Sequence, residues 1–239
     1  MENKLYNKTI IWNGDSICSG SEIFGSWATR IAEKNSMQFK NYAVGGGTIA
    51  QGLPLTAKGK KRHSVCETLD LMYEQYPDAD YVIIEGGSND ADLLGLVVDR
   101  ENNTKFGSFT KSDYSGEYDV NTFCGALEDV FYRATKYWMG KKIAFIVAHK
   151  MASKRIHDYD NRRMYFDAAI EICKKWGIPY LDLWNGCYLN PFLPWMYDSS
   201  KTPDENKEAN SGFYFDGQHL TPKGYDFTSD IIESWLKSL

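Results

Sequence analysis

Ile10-Ile11-Trp12-Asn13-Gly14-Asp15-Ser16 constrains this chain more than any other stretch. A short apolar run of this kind reads as a buried strand. Asn-Gly-Asp then supplies turn chemistry. The serine that follows sits just past the strand's carboxyl end, where open α/β sheets carry their ligand crevice. A serine hydroxyl is a weak nucleophile until a base takes its proton. Catalysis by such a serine requires from the rest of the chain a base, a group to orient it, and donors for a developing oxyanion.

The same type of run recurs along the chain and alternates with helical spacing. Strands are expected at Thr9–Asn13, Phe39–Val44, Tyr81–Glu85, Lys142–Ala148 and Pro179–Leu183. Helices are expected at Trp27–Lys34, Val65–Tyr76, Asn121–Met139, Asp160–Trp176 and Thr221–Leu239. In the last, Thr221 is the N-cap and Pro222 takes the first position. This alternation predicts a parallel sheet covered on both faces. With right-handed crossovers it becomes a three-layer α/β/α sandwich. The 239 residues suffice for one such domain without staples, and a single domain over 1–239 is the simplest organisation. Two segments interrupt the alternation, at about 92–119 and 184–215, and both read as long loops. The second is rich in aromatic residues, including Trp184 and Trp195, which suits either a cluster beneath the loop or a substrate-lining surface.

Composition removes several function classes. A net charge of −5 and a lone basic run, Lys58-Gly59-Lys60-Lys61-Arg62, argue against a nucleic-acid partner. Five scattered cysteines without a C-x-x-C pair argue against a disulfide framework or a zinc site. No stretch is apolar for long enough to span a membrane, and no signal-peptide pattern opens the chain. A cytoplasmic location is expected, without stable membrane insertion.

Four short blocks carry candidate chemistry. Gly14-Asp15-Ser16 follows the first strand and Asn41-Tyr42-Ala43-Val44-Gly45-Gly46-Gly47-Thr48 the second. Gly86-Gly87-Ser88-Asn89-Asp90 follows the third strand, and Asp216-Gly217-Gln218-His219 precedes the last helix. Each alone is ordinary turn chemistry. Together they place the reagents of acyl transfer on one sheet edge. His219 can act as base to Ser16, and Asp216, three residues earlier, can fix the histidine tautomer. The N–H groups of Ser16 and Gly46 and the Asn89 amide can hold an oxyanion. Asp15 and Asp90 are expected to hold loop backbone through their carboxylates. His149 follows the fourth strand at the same edge, as a structural histidine or a substrate contact. His63 reads as a surface residue.

These blocks, in this order, resemble the SGNH hydrolases, also called GDSL-type lipases and esterases. The resemblance runs from Thr9 to the final helix. It implies a flavodoxin-like sandwich around a five-stranded parallel sheet, with Ser16 as nucleophile, Asp216 and His219 completing the triad, and Ser16, Gly46 and Asn89 forming the oxyanion hole. Ile17 stands where the family name implies leucine, and Ala43 where glycine is common. The expected activity is hydrolysis of carboxylic esters through an acyl-enzyme, without metal or cofactor. The expected substrate is a small-molecule or carbohydrate ester with a short acyl group such as acetyl. Three alternatives are weighed beside it. A metal-dependent phosphoesterase would need more imidazole ligands than four dispersed histidines provide. A carbohydrate-binding module on the same fold would have no use for the intact triad residues. An acyltransferase would use the same residues with a different acceptor.

Overall fold

The computed structural model describes residues 3–21, 23–53, 55, 59–97, 106–152 and 156–239. Five parallel strands form the sheet: β1 (Thr9–Asn13), β2 (Gln38–Asn41), β3 (Tyr81–Glu85), β4 (Lys142–Val147) and β5 (Tyr180–Asp182). Their order is β2-β1-β3-β4-β5. This is the flavodoxin-like order, whose topological switch point falls at β1 and β3. Ile10 pairs with Tyr81 and Asn13 with Ile84, so the ends of β1 and β3 lie side by side. The chain leaves those two ends through Gly14-Asp15-Ser16 and Gly86-Gly87-Ser88-Asn89.

The helices are α1 (Ser16–Ser19), α2 (Trp27–Asn35), α3 (Val65–Gln75), α4 (Ser88–Val97), α5 (Phe123–Tyr137), α6 (Ile156–Trp176), α7 (Leu183–Gly186), α8 (Pro203–Ala209) and α9 (Pro222–Leu236). Right-handed crossovers put α2 on one face of the sheet and α3, α5 and α6 on the other. The packing agrees: α2 lies against α9, α3 against α5, and α6 against both α4 and α5. Central strands buried on both faces are apolar throughout, which is why β3 reads Tyr-Val-Ile-Ile. Trp27 is fully buried and donates its indole N–H to Thr228 Oγ1 at 2.8 Å, fixing α2 to α9. Burying a large apolar side chain contributes about 1.5–3 kcal/mol.

Apart from shifted ends, such as α6 beginning at Ile156 rather than Asp160 and Leu183 opening α7 rather than closing β5, the fold departs from the sequence reading in three places. β2 ends at Asn41 rather than Val44, because the Asn41 side chain accepts from Ala43 N–H at 3.0 Å and turns the backbone out of the sheet. The Asn41 amide also donates to Cys18 O at 3.1 Å, drawing the turned segment toward α1. The segment at about 92–119 is not all loop, since α4 occupies its start; residues 98–105 lie outside the described residues. The segment at 184–215 contains α8 and most of α7. Thr202 and Glu205 make a capping box at the start of α8, followed by Pro203 in the first turn.

Gly14 shows how tightly the first turn is built. A Cβ there would lie 2.6 Å from Glu85 Oε2 and 2.9 Å from the Glu85 carbonyl oxygen. Gly14→Ala is expected to destabilise the protein by about 1–3 kcal/mol through overpacking. Chemical denaturation of the two proteins measures this.

Candidate active site

β1 ends at Asn13, and Asp15 caps the short helix α1 by accepting from Ile17 N–H at 2.8 Å. Ser16 is the first residue of that helix and is partly exposed. Its Oγ–H donates to His219 Nε2 at 2.9 Å. His219 Nδ1–H donates to Asp216 Oδ2 at 2.7 Å. The other Asp216 oxygen accepts the backbone N–H of Gln218 at 2.9 Å and of His219 at 2.6 Å. The Asp-x-x-His spacing is thus one tight turn that delivers ring and carboxylate to each other. Burial pushes the Asp216 carboxyl up, but the His219 ring and the two N–H donors outweigh it and hold the group below its ordinary value. The result is an ionised carboxylate that fixes the imidazole ring, with Nε2 turned to Ser16.

A small hairpin holds the histidine. Tyr214 and Leu220 bridge antiparallel, and Phe215 N–H donates to His219 O at 3.1 Å. The Phe215 ring stacks on the imidazole with centroids 5.6 Å apart. The hairpin is tied to the segment after β4: Tyr214 donates its hydroxyl to Lys150 O at 2.7 Å, and Ala152 N–H donates to Gly217 O at 2.8 Å.

The second block lies beside the serine, since a Cβ on Gly45 would be 3.9 Å from Ser16 Cβ. Gly46 has φ +77°, a left-handed conformation that glycine adopts without strain. Arg62 holds its carbonyl from behind, with Nη1 at 3.3 Å. Among the described residues, nothing accepts the N–H of Ser16 or of Gly46. The Asn89 amide donates to Gly47 O at 2.9 Å and, at the longer distance of 3.3 Å, to Asp15 Oδ2. Asn89 is thereby tied to both neighbouring blocks, to Gly47 in the second and Asp15 in the first.

Asp15 and Asp90 hold backbone as expected. Asp90 accepts from Ile49 N–H and Ala50 N–H, both at 2.9 Å. Asp15 also accepts from the Ser88 hydroxyl. His149 is fully buried, donates Nδ1–H to Lys150 O at 2.9 Å, and packs on Tyr214. Burial pushes its ring down to about 4, which keeps it neutral. Trp184 is buried against Phe166. Neither side chain lines an open surface: His149 is enclosed beside the His219 hairpin, and Trp184 lies in the core. The reason is local: β5 feeds straight into α7, which turns Trp184 inward. Trp195 is 70% exposed. His63 is half-buried rather than on the surface, with Nε2 at 2.8 Å from Asn13 Oδ1.

Three neighbouring residues escaped the sequence reading. Ser88 looked like turn composition. Arg162 is buried, pairs with Asp92 at 2.7 Å, and reaches Gln218 Oε1 at 3.2 Å, bracing α6 against α4 and the Asp216–His219 turn. Glu85 ends an apolar strand, and a carboxyl closing such a run was the one signal available.

Among the described residues, no group of three His, Cys, Asp or Glu side chains could hold a metal ion. None of the described helices is long and apolar enough to cross a membrane.

The family model for the GDSL-like lipase/acylhydrolase family matches residues 13–227. The chain belongs to that family. It is a hydrolase, and its substrates are esters. This GDSL-like hydrolase is also similar to solved structures at low identity, which carries the likeness of fold alone. A protein from Lactobacillus plantarum is 19% identical, with 98% of both chains covered and a TM-score of 0.69. A carbohydrate acetylesterase family member from Sinorhizobium meliloti is 11% identical, with 97% of this chain and 98% of that chain covered and a TM-score of 0.59. An acetyl xylan esterase, AlAXEase, is 17% identical, with 97% and 100% covered and a TM-score of 0.54. No curated protein matches the chain.

Proposed function

We propose that this GDSL-like hydrolase is a serine esterase that removes a short acyl group, such as acetyl, from a carbohydrate or small alcohol. The observation that carries the reading is the continuous relay from Ser16 Oγ through His219 to Asp216, at 2.9 and 2.7 Å. Ser16 attacks the ester carbonyl as His219 takes its proton. The negative oxygen is received by Ser16 N–H, Gly46 N–H and the Asn89 amide. His219 then protonates the leaving alcohol, and water, activated by the same ring, releases the acid. Asn89 joins by exchanging its longer contact, to Asp15, for the oxyanion.

The alcohol side is suggested by a cavity of about 470 Å³ on the Asp216 side of the triad. Its walls are Pro191, Phe192, Pro194 and Tyr197, and its rim carries Asp198, Ser199 and Ser200. Apolar ring faces with a few hydroxyls and carboxylates suit a neutral sugar, whose ring stacks while its hydroxyls hydrogen-bond. The names of the Sinorhizobium neighbour and of the acetyl xylan esterase point the same way.

Initial rates on p-nitrophenyl acetate, butyrate and octanoate and on acetylated xylo-oligosaccharides, with and without EDTA, test this reading. Chelator-resistant hydrolysis that falls with acyl length and is highest on the acetylated sugar is expected. Glycan binding without turnover would favour a binding module. Acyl transfer to an added sugar in preference to water would favour a transferase. Asn89→Ala is expected to lower kcat by about 10²–10³-fold, the usual cost of one oxyanion donor. Its KM should move little, because the donor acts on charge that develops only in the transition state.

A further inference from the structure

Glu85 is the last residue of β3, and its side chain is wholly buried. Its Oε2 accepts the Asp15 N–H at 3.1 Å, directly beneath the nucleophile turn. Its Oε1 is buried with no hydrogen-bond partner. The adjacent Asp15 carboxyl is served very differently. It accepts from Ile17 N–H, the Ser88 hydroxyl and the Asn89 amide. Two buried carboxyls in contact cannot both ionise readily. The donors put the charge on Asp15, which has three, and the proton on Glu85, which takes the backbone N–H of Asp15 and, as a weaker influence, that of Cys18, and shares a side-chain hydrogen bond with the Asp15 carboxyl. The absent Cβ of Gly14 leaves the space that Glu85 Oε2 fills.

We propose that Glu85 is a positioning residue: as a neutral carboxylic acid it holds the Gly14–Ser16 turn from below and, through Asp15, sets the Asn89 amide. This rests on the esterase reading for its catalytic consequence, though not for the state of the carboxyl. Ser16 and Asn89 sit at the ends of different strands, and the Glu85–Asp15 pair is the bridge between those ends. The pair therefore sets the resting spacing of nucleophile and oxyanion donor, from which the Asn89 amide turns to the oxyanion.

A pH dependence follows. Burial and the Asp15 charge push the Glu85 carboxyl well up. The titratable groups that face the pair are Cys18 on α1, Asp90 on α4, Tyr225 on α9 and His219 on the hairpin. Glu85 is protonated below its raised value and ionises as pH rises through it. Two adjacent buried carboxylates then repel and the turn loosens, so kcat falls on the alkaline side.

The test compares wild type, Glu85→Gln, Glu85→Leu and Ser16→Ala. Glutamine keeps an acceptor for Asp15 N–H and a donor in place of the acid proton. Difference infrared spectra at neutral pH should show a protonated-carboxyl carbonyl stretch in wild type that Glu85→Gln lacks. On p-nitrophenyl acetate, Glu85→Gln should keep kcat close to wild type and lose the alkaline limb. Glu85→Leu should lose on the order of 100-fold in kcat, the cost of a misplacement of about 1 Å. If the leucine variant does not fold, the glutamine pH profile and the infrared band decide. The proposal is overturned by an unchanged band, by an alkaline limb that persists in Glu85→Gln, or by a glutamine variant as impaired as the leucine one. Equal activity of Ser16→Ala and wild type would sink the esterase reading alone, and the infrared band would still judge Glu85.

Discussion

Ser16→Ala should lower kcat on p-nitrophenyl acetate by about 10⁴-fold or more, since members of such a triad act as a unit. The alanine methyl leaves the turn intact. Asp15 still caps α1 through Ile17 N–H, and Glu85 still accepts the Asp15 N–H. The unfolding free energy should therefore stay within about 0.5 kcal/mol of wild type, as for substitutions away from packed features. What disappears is the oxygen that lies 2.9 Å from His219 Nε2. Residual rate comes only from the oxyanion donors and from binding. Paired measurements of kcat and of the denaturation midpoint separate loss of chemistry from loss of fold.

Asp216→Asn should cost roughly 10⁴-fold in kcat while leaving the hairpin folded. The asparagine carbonyl oxygen can still accept the N–H groups of Gln218 and His219, which now bond to Oδ1 at 2.9 and 2.6 Å. The amide nitrogen then occupies the position of Oδ2, 2.7 Å from His219 Nδ1, and donates. The imidazole answers by placing its proton on Nε2, facing Ser16, where a lone pair is needed. Geometry survives and the base does not. Asp216→Ala would also strip the two backbone donors of their acceptor, so it should lose stability as well as rate. Steady-state kinetics with thermal melts on both variants distinguish the two effects.

Much of the site was legible in the sequence because its chemistry sits where the strands end. A strand, a turn and a nucleophile are read from seven consecutive residues, and Asp216 with His219 from four. The sheet was legible because its central strands are apolar on both faces. The parts that escaped depend on contacts between distant segments. Glu85 looks like the polar end of a strand until Asp15 and Gly14 are seen above it. Trp184 looks like a loop aromatic until β5 runs straight into α7 and buries it against Phe166. β2 is shorter than its strand-like run suggests because Asn41 bends the backbone with its own side chain, an Asx turn inside that run. The α8 capping box is local, Thr202-Pro203-Asp204-Glu205, but it lies inside an aromatic-rich loop whose composition masks so short a helix.

The proposed mechanism stands on Ser16 as the nucleophile, activated by His219. Intact-protein mass spectrometry after exposure to an alkyl fluorophosphonate, followed by peptide mapping, tests it most directly. One adduct is expected, on Ser16, formed in step with the loss of ester hydrolysis, absent from Ser16→Ala and much slower in Asp216→Asn. An adduct on another residue, or a Ser16→Ala protein that hydrolyses esters at the wild-type rate, would contradict it.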